Sequence, residues 1–72
     1  MEKTLVAKWE SKSGKHFAEL WRDAYGYSYK GVDCGGNLGT LKEAEAIEVL
    51  EMRVLTGYFQ PDANTTPMKR IR

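Results

Sequence analysis

Cys34 and His16 are the one thiol and the one imidazole in the chain, and together they could form a nucleophile and its base. A nucleophilic cysteine needs a depressed pKa and a base within hydrogen-bond reach. Cys34 stands in a glycine-rich stretch and His16 in an alternating one, and neither carries the local signature of a thiol enzyme. The pair therefore reads as an inert turn residue and an ordinary strand residue. One Cys and one His would need carboxylates to complete a metal site, and no ligand spacing surrounds them. Gly35-Gly36-Asn37-Leu38-Gly39-Thr40 leads into a helical pattern, where free amides and the helix dipole can hold an anion. Its spacing is neither G-x-G-x-x-G nor a Walker loop, and Glu43 would repel a phosphate. Thr40 and Glu43 instead have the spacing of a capping box, in which the threonine hydroxyl accepts from the Glu43 amide and the carboxylate accepts from the Thr40 amide. No catalytic group, metal or cofactor is expected.

The elements around these residues follow from periodicity. Thr4 to Glu10 alternates, with Leu5, Ala7 and Trp9 on one face and Val6, Lys8 and Glu10 on the other. Ser11-Lys12-Ser13-Gly14 reads as a tight connection. Lys15 to Arg22 alternates again, with His16, Ala18 and Leu20 opposite Phe17, Glu19 and Trp21, which predicts a hairpin. After Asp23-Ala24, the residues Tyr25, Tyr27 and Tyr29 line one face of a third strand. Gly31 to Gly39 has no period and reads as a loop, with room for a brief strand just before Thr40. From Thr40 the period becomes helical: at about 100° per residue, Ala46, Ile47, Leu50, Val54 and Tyr58 share an arc, with Lys42, Glu45, Arg53 and Thr56 opposite. Gly57 is the expected stop.

The predicted fold is α+β: a small three-stranded antiparallel sheet packed on one C-terminal helix, as a single domain over residues 1–60. Residues 61–72 read as a flexible or extended basic tail, in which Met68 and Ile71 could add a strand to an open sheet edge. Leu41, Ala44, Leu55 and Phe59 form a second apolar strip, a candidate surface for self-association into a homo-oligomer.

Composition bounds the function. At 72 residues with 42% hydrophobic content, the chain supports one folded core. A single cysteine suits a reducing compartment, and no apolar run has the length of a signal peptide or a membrane span, so a cytoplasmic location without membrane contact is expected. The net charge of +1 does not mark a nucleic-acid footprint. Within it, the predicted strand region is mildly basic and the helix acidic.

More aromatic residues fall on the predicted strands than one helix can cover, and a sheet packed on one side leaves its other face open. The candidate partner or DNA face comprises Lys8, Trp9, Lys15, Phe17, Glu19, Trp21, Tyr27 and Lys30. Tryptophan and tyrosine anchor protein interfaces, and aromatics among lysines also suit nucleic acid through stacking and phosphate contacts. From Ser13 to Ala46, the pieces Gly14-Lys15, Ala18-Glu19-Leu20, Asp23, Leu38-Gly39-Thr40 and Ala44-Glu45 resemble AP2/ERF-type DNA-binding domains and the arm-binding domains of tyrosine integrases. That resemblance implies three antiparallel strands on one helix, with the outer sheet face in the DNA major groove. It puts Glu19 at a base-contacting position and Lys15 in the matching turn-to-strand segment. Trp21 falls where the family usually has a contacting arginine, and Asn37 where it often has a tryptophan. The expected function is a small non-enzymatic binding module: a regulator or inhibitor of a protein partner, of the kind carried by phages or other mobile elements. The alternative is binding of duplex DNA through the same face.

Overall fold

The computed structural model describes residues 2–59 and 68–72. Its elements are strands β1 (Thr4–Glu10), β2 (Phe17–Asp23), β3 (Gly26–Gly31) and β4 (Gly35–Gly39), helix α1 (Glu43–Leu55) and the short strand β5 (Lys69–Arg70). The strands form one antiparallel five-stranded sheet in the order β4-β3-β2-β1-β5, with the helix on one face. The α+β class and the hairpin of β1 and β2 match the reading of the sequence. Two strands are additional. β4 occupies most of the stretch read as a loop, and β5 pairs Arg70 with Trp9 and Lys69 with Glu10. The helix is therefore followed by a strand of the same sheet. The last residues dock on their own chain, Met68 is buried, and the first part of the expected tail lies outside the described residues.

Small and aromatic residues alternate into the helix-facing side. Ala7 and Trp9 of β1, Ala18 and Leu20 of β2 and Tyr27 of β3 meet Ala46, Leu50 and Val54 of the helix, with Phe59 and Met68 closing the ends. The alanines matter because a helix approaches a sheet closely only over small side chains. The β1–β2 register shifts between Leu5 and Ala7. A one-residue bulge turns the following side chains to the other face. Leu5 thus stands opposite Trp21, away from the helix, while Val6 packs against the core. This corrects the simple alternation expected for β1.

The helix starts later than expected. Lys42, with an extended backbone, is its N-cap, and the Lys42 amide donates to Glu45 Oε1 at 3.1 Å. Thr40 is used in the bend that leads off the sheet edge. The helix ends in a Schellman turn: Gly57 N–H donates to Val54 O and Tyr58 N–H to Arg53 O, with Gly57 at φ +84°. Two ion pairs span the layers, Arg22 with Glu43 at 3.5 Å and Arg70 with Glu51 at 4.0 Å.

Candidate binding face

The sheet register lays two cross-strand rows on the face away from the helix. One runs Lys8, Glu19, Lys30, Gly35 and the other Leu5, Trp21, Ser28, Asn37. Of the residues expected on a partner face, Lys8, Phe17, Glu19, Trp21 and Lys30 are brought together here. Trp9 and Tyr27 are not. Trp9 shares its face with Ala7 and is 4% exposed, and Tyr27, 9% exposed, points into the same core. Lys15 sits in the exposed β1–β2 turn rather than on a strand. The strip Leu41, Ala44, Leu55 and Phe59 does not form one surface. Phe59 is buried beyond the helix end, Leu41 precedes the helix, and Leu55, 70% exposed, stands on the helix flank. The Schellman turn reverses the chain after Leu55, which carries Phe59 inward.

Glu19 organises the face. Its Oε1 accepts a hydrogen bond from Trp21 Nε1 at 3.1 Å, and its Oε2 lies 3.6 Å from Lys8 Nζ. Lys8 also reaches Glu10 at 3.7 Å, and its ammonium lies 5.6 Å from the Phe17 ring centroid. The indole is thus held half-buried at the wall of a groove. The groove encloses about 540 Å³ between Lys3, Trp21, Lys30 and the strand β4, with Ser28, Gly35, Gly36 and Asn37 on its floor. It exists because Gly35, which shares the open face with Lys30, has no side chain to fill it, whereas a Cβ at Gly36 would meet the Tyr29 ring on the helix side. The sequence reading missed Lys3, Ser28 and the glycine floor. The available signal was the glycine run itself, which has no period to reveal a strand.

The remaining chemical candidates are separated. Cys34 packs near Gly31 and Phe59, while the backbone amide of His16 donates to Ser11 Oγ at 3.1 Å in the hairpin turn. No hydrogen bond among the described residues joins them. Gly35–Gly39 is strand rather than anion loop, and no group of three or more His, Cys, Asp or Glu among the described residues is placed to hold a metal ion. No described helix is long and apolar enough to cross a membrane. On the helix side, Arg53 does not face solvent as its polar arc suggested. Its guanidinium stacks on the rings of Tyr29 and Tyr58, at 4.9 and 5.0 Å. The two phenols share a hydrogen bond of 3.1 Å, and that bond to Tyr29, with burial next, raises the Tyr58 pKa above the usual 10.0. Tyr29, Tyr58 and Phe59 pack edge to face around this cation. No protein-family model, curated protein or solved structure matches the chain.

Proposed function

We propose that this chain is a non-enzymatic module that binds another protein through the open sheet face, acting as a regulator or inhibitor by occupancy alone. The observation that carries this reading is the fixed indole of Trp21 at the wall of an open groove. A large, oriented aromatic beside an open groove is the form of an interface anchor. Mixed charge supports the same reading. Lys8 is matched by Glu10 and Glu19 beside the central aromatic, so the row of lysines is interrupted by acidic groups.

Duplex DNA is the second reading, favoured by Lys3 and Lys30 beside the groove and by Lys15 in the turn. It requires Glu19 to reach a base, as the resemblance to AP2/ERF-type domains implies. Both Glu19 oxygens already have partners, the indole N–H and Lys8, so turning this carboxylate toward a base would disturb the contacts that hold Trp21, and the protein reading stands first. A random-peptide library panned on the protein is the test. Enriched ligands are expected to bind Trp21→Ala about tenfold more weakly, the order of one anchor contact. Ligands indifferent to Trp21→Ala, or no enrichment, would overturn the reading. Duplex DNA binding that falls steeply between low and moderate salt would install the second in its place.

A further inference from the structure

The two edges of the sheet are built differently. At one end, β5 is two residues long, and both are charged, Lys69 and Arg70. Short, basic edges resist pairing with other chains. At the other end, β4 is Gly-Gly-Asn-Leu-Gly, without a charge or a proline, and all of its five residues except Leu38 are exposed. The Gly31 amide donates to Cys34 O at 2.8 Å and closes the β3–β4 hairpin. Counting along the ladder from that pair, Gly36 faces β3 with its backbone groups, and the amides and carbonyls of Gly35 and Asn37 turn outward. Among the described residues, no strand pairs with this edge, and it offers outward donors and acceptors to an arriving strand.

The groove lies directly beside that edge. Side chains of an added strand that point to the open face would pass over Gly35 and enter the space between Trp21 and Lys30. The charge there is one-sided. Glu19 is satisfied by Lys8 and the indole, whereas Lys3 and Lys30 have no carboxylate within ion-pair distance among the described residues. We propose that the outer edge of β4 takes an extended segment of another protein as a sixth strand, with acidic side chains at alternate positions entering the groove toward Lys3 and Lys30. Backbone bonds to Gly35 and Asn37 supply the docking, and the lysines select the sequence. A second copy of this chain is a poorer occupant, because Gly35–Gly39 carries no carboxylate to offer the lysines.

This inference rests on the open-face reading and specifies its mode. The probe is an acetylated, amidated peptide, Thr-Glu-Val-Glu-Val-Glu-Thr, with its Glu-to-Lys counterpart as control, titrated into the isotope-labelled full chain. The acidic peptide is expected to bind about tenfold more tightly than the basic one, the order of a charge-assisted contact, and to slow amide exchange at Gly35 and Asn37. Lys30→Glu should reverse the preference between the two peptides. Asn37→Pro removes an outward amide at an edge position that tolerates proline and should weaken the acidic peptide by a similar factor. Equal binding of both peptides overturns the proposal. So does protection of Gly35 and Asn37 in the free protein with a dimer seen by light scattering, which would make the occupant a second copy. Shifts at Trp21 and Lys30 without protection of those two amides overturn strand addition while leaving the open-face reading intact. If neither this peptide nor the library ligands depend on the open face, both readings fall.

Discussion

Glu19 does two jobs with one carboxylate, and its two oxygens can be separated by substitution. Glu19→Gln keeps an acceptor for the Trp21 indole and loses the ion pair to Lys8, whereas Glu19→Ala loses both. Partly exposed ion pairs contribute little, so the glutamine variant should fall by less than about 0.5 kcal/mol. The alanine variant should fall by about 1 kcal/mol, with a shifted indole N–H resonance marking a released ring. Equal losses, or an unmoved resonance in Glu19→Ala, would show that packing alone holds Trp21. On the opposite face, the proton of Tyr58 is held by its bond to Tyr29. Because the folded chain binds that proton more tightly than the unfolded chain, Tyr58's contribution is complete below the usual tyrosine value. It is lost as pH rises through the higher folded value. Tyr29→Phe should bring the Tyr58 titration down toward 10.0, read by carbon NMR of labelled tyrosine rings. An unchanged titration would assign the shift to burial instead.

The turns between elements concentrate their constraints in a few backbone positions. Gly26 has φ +132°, and a Cβ there would stand 2.3 Å from Gly39 O, where β3 and β4 cross closely. Gly39 has φ +79° with nothing within 4 Å of an added Cβ. Gly39→Ala therefore meets only the left-handed backbone penalty, about 1 kcal/mol, while Gly26→Ala adds a backbone collision and should lose about 3 kcal/mol or more. Denaturant midpoints that move equally for the two would show that the β3–β4 crossing relaxes freely. The elements themselves were unequally legible. Trp9 and Ala7 share parity along β1, and Phe17, Glu19 and Trp21 share it along β2, so the hairpin and most of the open face follow from period two. Trp9 could have been assigned to the core by that same parity with Ala7. For β4 the sequence allowed only a brief strand just before Thr40 within a loop, and its extent could not be read because glycine carries no side chain to alternate. The helix start was ambiguous for a specific reason. Thr40 and Lys42 each have a glutamate three residues on, and the sheet edge, running to Gly39, decides for Lys42.

At the scale of the whole molecule, the short last strand completes both the core and one sheet edge. Ile71 N–H donates to Lys8 O at 2.8 Å, Met68 is 7% exposed within the core, and the Arg70 guanidinium lies 5.7 Å from the Trp9 ring centroid. Hydrophobic periodicity could not find so brief a strand, although Met68 and Ile71 were the apolar residues that suggested one. The energetics divide sharply between neighbours. Met68→Ala opens a cavity against Trp9's side of the core and should lose about 2 kcal/mol or more. Arg70→Ala loses an exposed cation–π contact and a long ion pair, together under about 1 kcal/mol. Deleting residues 68–72 removes the Met68 burial together with the β1–β5 bonds, and should lose about 2–4 kcal/mol. It also uncovers the β1 edge, whose freed amide and carbonyl at Lys8 invite pairing between chains. The shortened chain should therefore both unfold at lower denaturant and self-associate by light scattering, while the β4 edge behaves as before. Met68→Ala separates the two effects, because it weakens the core with the strand still in place: a less stable monomer is expected. Association of Met68→Ala to the same extent as the deletion would mean that loss of stability, and not the bared edge, drives the chains together.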